Sequence, residues 1–175
     1  MARALAAFER TIVSKDSPWD RFHHGDEHAI SEAAKRGEIL FFLDGGPSCF
    51  RCHNGPNFND GEYHNTALYD PYPASGPGLF AHTRRPADTG RFRTPTLRNI
   101  ALTAPYMHDG SIATLEEAID HYAAGGRAHT NPAKDKLMHG FTLTPRNRAD
   151  LVEFLRSLTD DSLIHNPQLS DPWVK

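Results

Sequence analysis

From Arg3 to Val13 the apolar positions Leu5, Phe8 and Ile12 recur at helical spacing, and Ser17-Pro18 stops the segment. The pattern predicts an amphipathic helix of about three turns. A polar stretch carrying Trp19, Phe22, His23, His24 and His28 follows. Ser31 is placed to cap a second helix that runs to about Leu43, where Asp44-Gly45-Gly46-Pro47 breaks it. Thr114-Leu115-Glu116-Glu117 is a capping box opening a third helix, with Leu115, Ala118, Ile119 and Tyr122 on its apolar face and Gly125-Gly126 at its end. A fourth helix starts at Thr144-Pro145 and presents Leu151, Phe154, Leu155 and Leu158 as its buried stripe. The tail, residues 159–175, with Pro167, Pro172 and Trp173, reads as extended along the surface. Four helices, long loops and almost no alternating apolar pattern indicate a mostly α fold.

Residues 54–93 have little periodicity and are rich in Gly, Pro, Asn and Tyr. A loop this long inside a compact domain is usually functional or wrapped around something. Arg84, Arg85, Arg91, Arg93 and Arg98 lie at or just after its end. Guanidinium groups are suited to bidentate pairing with carboxylates, and the alternative for each is a solvated basic face.

What such a loop wraps is indicated by Cys49-Phe50-Arg51-Cys52-His53, which contains both cysteines of the chain and follows C-x-x-C-H. That spacing reads as covalent c-type haem attachment. Two thiols serve the two vinyl groups of the porphyrin, and the adjacent imidazole of His53 reaches the iron as proximal ligand. A redox C-x-x-C belongs beside a βαβ pattern, and a zinc site needs a second ligand pair; neither is visible. With haem in place, the second helix is expected to bring Ile39, Leu40, Phe42 and Leu43 near the porphyrin, within a cytochrome c-like helical haem domain with long loops. His23, His24 and His28, among Asp20, Asp26 and Glu27, read as a solvated loop rather than a metal cluster.

Length and charge add limits. The 175 residues suffice for one domain with a real core, read as a single cytochrome c-like unit whose residues 1–30 form an entry helix and loop. A formal net charge of -3 gives no electrostatic case for nucleic acid or an anionic membrane, and no apolar run reaches the length of a membrane span. Met1 to Arg10 does not read as a signal peptide, although c-type haem is normally attached outside the bacterial cytoplasm.

A haem iron held by His53 has one more position, and its occupant decides between electron relay and small-molecule binding. Met107, His108, His121, Tyr122, Met138 and His139 are chemically eligible. Periodicity puts Tyr122 on the inward face of its helix and His121 off it, while Met107 in a Pro-flanked loop is equally reachable. The residues leave this choice open.

The stretch Arg91 to Gly110, RFRTPTLRNIALTAPYMHDG, followed by Ala113 to Tyr122, ATLEEAIDHY, resembles the bacterial di-haem cytochrome c peroxidases and is most similar to their MauG-like branch. The opening Ala4 to Ile12 and the closing Leu169 to Trp173 are similar to the same family's second domain. The resemblance implies a six-coordinate, electron-handling haem c with Tyr122 as distal ligand. It implies calcium held partly by backbone carbonyls at Thr103 and Pro105, and places His108 near the haem propionates, with Arg93 and Arg98 as further cofactor-binding residues. Members of the family carry two C-x-x-C-H motifs, and this chain has one. The expectation is therefore a haem c-binding domain of a MauG-like peroxidase-type oxidoreductase. Its partners would be a second haem domain or chain, a protein or cytochrome redox partner, and hydrogen peroxide acting through the partner haem, in a periplasmic setting. The alternative is a stand-alone mono-haem electron-transfer module. Exposed apolar surface on the first helix is expected to favour self-association.

Overall fold

A computed structural model describes residues 1–128 and 130–170. The helices that close the core are α3 (Glu32–Phe42) and α6 (Pro145–Arg156), capped by the hydroxyls of Ser31 and Thr144 as their sequences require. They cross closely because α3 offers Gly37 at the contact: a Cβ there would collide with the carbonyl of Asp150. Arg36 fastens the same crossing with a fork onto Asp150, through Nε and Nη2 at 2.8 Å each. Phe41 from α3 and Leu151, Phe154 and Leu155 from α6 form the buried centre, joined by Phe58 and Leu158. Helix α5 (Leu115–Ala123) lies beside α6 and buries Leu115 and Ile119; its reciprocal capping box between Thr114 and Glu117 is formed.

The second predicted helix has the expected bounds but a different inward face. Phe41 is 2% exposed, whereas Ile39 is 67% exposed and Phe42 and Leu43 also face outward; Leu40 packs only partly against the core. The buried positions of α3 are Ala34, Gly37 and Phe41, spaced three and four apart. The expectation that Ile39, Leu40, Phe42 and Leu43 approach the porphyrin is thus corrected to Phe41.

At the N-terminus, α1 (Ala2–Glu9) is shorter than the predicted segment to Val13 and buries none of its residues. Leu5 and Phe8, with Ile12 and Val13 beyond the helix, are exposed. Ser17-Pro18, read as a stop, instead opens α2 (Pro18–His23). Ser17 is the N-cap, Pro18 occupies the first turn, and Asp20 completes a capping box.

Residues 54–93 contain a two-residue antiparallel pair, β1 (Tyr63–His64) with β2 (Phe92–Arg93), and the short α4 (Phe80–Thr83). The tail is not extended over its described part. Asp160 caps α7 (Asp161–Ile164), and a 3-10 turn follows at Pro167–Leu169. Pro172 and Trp173 lie outside the described residues. The architecture is mostly α and cytochrome c-like, with seven α-helical segments among the described residues, three more than the sequence pattern predicts.

Candidate haem site

Between these helices and the loops lies a cavity of about 490 Å³, within the range of cofactor pockets. Phe41, Leu115, Ala118, Ile119, Leu151 and Leu155 give it an apolar helical floor. Residues 92–97, 103–108 and 137–141 supply its other walls.

The attachment motif stands at its edge. Cys49–Arg51 forms a single 3-10 turn, and the N–H of His53 donates to the carbonyl of Cys49 at 2.9 Å. This turn sends Cys49, Cys52 and His53 into the same cavity. The cysteines are not joined to each other. Burial pushes the Cys49 thiol up to about 12, and burial with the negative charges of Asp60 and Asp135 pushes Cys52 up to about 11. Both are thus held as neutral thiols, the unreactive form for a redox dithiol.

His53 is fixed from behind. Its Nδ1 donates to the carbonyl of Phe58 at 3.0 Å, and the Pro95 backbone also bears on the ring. Burial holds its pKa below the ordinary histidine value, so it is a neutral imidazole, the form that ligates iron. The loop carrying that carbonyl is buttressed by α2: the Trp19 ring meets Phe58 edge-on at 4.9 Å. Arg98 belongs to the same support. Its Nη1 donates to Asp20 Oδ2 at 2.6 Å and to Ser17 at 3.3 Å, and its Nε donates to the Pro56 carbonyl at 2.9 Å. Its guanidinium lies 5.3 Å from the Trp19 ring centroid and 5.4 Å from that of Phe58. The expectation of Arg98 as a propionate ligand is corrected: its Nε and Nη1 donate behind His53, and it does not line the cavity.

Of the other arginines, Arg85 and Arg91 pair with Asp88, and Arg84 is exposed away from the cavity. Arg93 lines the cavity and makes no ion pair among the described residues. His108 also lines it, its ring stacked on Phe92 at 3.7 Å between centroids. Thr103 and Pro105 sit at the rim.

The eligible distal ligands separate clearly. His121 turns away to place Nε2 2.9 Å from the carbonyl of Thr66, and His139 is exposed with Nδ1 on Gly140. Tyr122, Met107, Met138 and His108 face the cavity. Tyr122 comes from the rigid floor helix α5, and burial raises its pKa; none of the influences on its hydroxyl is a hydrogen bond from a described residue. The half-buried Tyr122 thus shares the cavity with the neutral imidazole of His53, and a phenol and an imidazole are both groups able to ligate iron.

Sequence reasoning missed α2 and its Trp19 and Asp20, and a cluster in the cavity wall formed by Asp60, His64 and Asp135. Cys52, Asp60 and His64 place potential donor atoms within 4.8 Å of one another, the one such metal-ligand grouping among the described residues. It is not a zinc site: both ring nitrogens of His64 are occupied by carboxylates. His23, His24 and His28 do not converge; His23 pairs with Glu38 instead.

Two thiols, a neutral oriented imidazole and apolar walls fit haem c. Comparison with known proteins agrees. The family described as cytochrome c matches residues 34–159. The methylamine utilization protein MauG of Methylorubrum extorquens is 41% identical over 167 residues, covering 95% of this chain and 46% of that protein. Cytochrome-c peroxidase IdrP1 of Pseudomonas sp. strain SCT is 34% identical over 195 residues, covering 94% of this chain and 50% of its own length. A crystal structure of a MauG-like protein associated with microbial copper homeostasis superposes with a TM-score of 0.93 at 43% identity, covering 98% of this chain and 60% of that one. The chain spans about half the length of the curated relatives it matches. No helix among the described residues is long and apolar enough to cross a membrane. The chain belongs to the cytochrome c family and, within it, to the bacterial cytochrome c peroxidases and MauG-like proteins.

Proposed function

We propose that this chain is the second-haem domain of a MauG-like di-haem oxidoreductase, relaying electrons between a peroxide-reactive haem domain and a protein redox partner in the periplasm. The observation that carries the reading is the joint presence in one cavity of the C-x-x-C-H turn and of Tyr122, a phenol with no hydrogen-bond partner among the described residues. Cys49 and Cys52 would form the thioether bonds, and His53 and Tyr122 would be the iron ligands. Haem c, when bound, supplies reversible one-electron transfer.

The protein's own part is to fix that group and set its electronics. The Phe58 carbonyl keeps His53 in one tautomer, and Arg98 with Asp20 holds the loop that carries it. Arg93 and His108 receive the propionates at the open side. A phenolate at Tyr122 stabilises oxidised iron, which suits a site that shares oxidising equivalents. The carbonyls of Thr103 and Pro105 would contribute to a calcium site shared with the peroxide-reactive haem domain.

A second reading, a stand-alone electron-transfer module, is favoured by Met107 in the same cavity. An absorption titration of the purified ferric protein with hydrogen peroxide tests the relay role. An unchanged spectrum at stoichiometric peroxide is expected, because His53 and Tyr122 would leave peroxide no ligand position. A stoichiometric spectral conversion would show that this haem reacts by itself and would overturn the relay assignment.

A further inference from the structure

In the cavity wall, His64 on β1 stands between two carboxylates. Its Nδ1 is 2.7 Å from Asp135 Oδ2 and its Nε2 is 2.9 Å from Asp60 Oδ2. The other oxygen of each carboxylate is already taken: Asp60 Oδ1 accepts the N–H of Glu62, and Asp135 Oδ1 accepts the N–H of Leu137, each at 2.9 Å. Both carboxylates are thus arranged as acceptors, and two acceptors on one imidazole require two donors. Only the imidazolium supplies them. Loss of its proton leaves a lone pair facing a carboxylate and the cluster's charge goes from one negative to two.

The position of this cluster gives it a use. His64 and Asp135 line the same cavity as the attachment motif, and donor atoms of His64 and Asp60 lie within 4.8 Å of Cys52 Sγ. The framework is fixed: β1 pairs His64 with Phe92, and the Asp135 N–H donates to the Asn65 carbonyl at 2.9 Å. The side chains of all three residues retain 14–19% exposure, which leaves a route for solvent protons.

Resting on the haem assignment above, we propose that Asp60, His64 and Asp135 form a proton-binding site coupled to the oxidation state of the haem held by Cys49, Cys52 and His53. When a one-electron donor reduces the ferric site, one negative charge is added beside the cluster. His64 answers by taking one proton from water, so one electron and one proton enter together and both leave together on oxidation. The charged groups acting on His64 are Asp60 on its own loop and Asp135 across the cavity wall; Arg91 acts on Asp135, Arg93 lines the same cavity, and the neutral His53 is within electrostatic reach. Burial works against the charged imidazole, but the hydrogen bonds it donates to Asp135 and Asp60 outweigh that and keep its pKa above the ordinary histidine value. The coupling window therefore opens above about pH 6.5.

The test is potentiometric titration of the haem-loaded full chain from pH 5 to 10. In the wild type the potential stays level where His64 is protonated in both oxidation states. It then falls with rising pH at up to ~59 mV per unit, the value for a tenfold change in a one-electron step. His64→Gln removes that fall while the haem absorption bands persist. Asp135→Asn moves the fall to lower pH, since the imidazolium loses one of its two partners, and it decides the matter if His64→Gln does not load haem. A wild-type potential independent of pH across the window, a slope unchanged in His64→Gln, or a window unmoved in Asp135→Asn overturns the proposal. A purified chain with no haem c spectrum would defeat the haem assignment itself, a separately visible result.

Discussion

The α3 and α6 pair and the loop wall between residues 54 and 110 both bury apolar side chains, but they complete their interiors by different means. Across the helix pair the packing runs mainly from helix to helix: Phe41 meets Phe154 at 4.9 Å between ring centroids, over a crossing permitted by Gly37, and only one edge of the pair, with Phe41, Leu151 and Leu155, floors the cavity. The loop wall has only a two-residue sheet, the four-residue α4 and short 3-10 turns as regular structure, and many of its inward residues, including Thr94, Leu97 and Met107, face the cavity. The difference teaches that half of this molecule is organised by protein packing and half around a space meant for a cofactor.

The contrast is broken most severely by withholding the haem. Replacing Cys49 and Cys52 with Ala is expected to leave the amides of α3 and α6 protected from hydrogen exchange, while those of residues 54–110 lose protection by orders of magnitude. Uniform loss in both regions would show that the two halves depend equally on haem. A cut into the helical half is next. Phe154→Ala removes a fully buried ring and is expected to cost about 3–5 kcal/mol in chemical denaturation, with m unchanged. Less than 1 kcal/mol would mean that the site collapses freely and is not the anchor of the core.

The link between the halves gives a smaller and more selective effect. Asp20→Asn leaves Arg98 buried without its charge partner and is expected to destabilise the protein by about 3 kcal/mol. Because Arg98 also holds Pro56, the variant should alter the ferric spectrum through a loosened His53, as an alteration remote from the haem would not. A spectrum identical to wild type would separate the ion pair from the proximal ligand.

How much of this was readable in the sequence follows from the same contrast. The caps at Ser31, Thr114 and Thr144 and the stripe on α6 are local signals, and they gave those helices close to their observed bounds. Ser17-Pro18 carries the same cap-then-proline signal as Thr144-Pro145, but its place after an apolar segment disguised it as a terminator. On α3, attention to bulky residues picked the wrong face; the small residues Ala34 and Gly37, with Phe41, mark the close contact. The attachment motif is contiguous and announced its cavity. Arg98 with Asp20 and His64 with Asp135 were illegible for another reason: their partners are 78 and 71 positions away, so no local pattern encodes them.

Helix α1 is an exposed apolar surface, its Leu5 57% exposed and none of its residues buried. That surface bears on assembly, whereas the central question is what faces His53 across the cavity. The most direct measurement is the ferric absorption and electron paramagnetic resonance spectrum of haem-loaded Tyr122→Phe beside wild type. Loss of the wild-type coordination signature, with both thioether bonds intact, is the expected result. A ferric spectrum unchanged by Tyr122→Phe would contradict His53 and Tyr122 as the axial pair, and Met107→Ala would then be expected to abolish the sulfur-to-iron band.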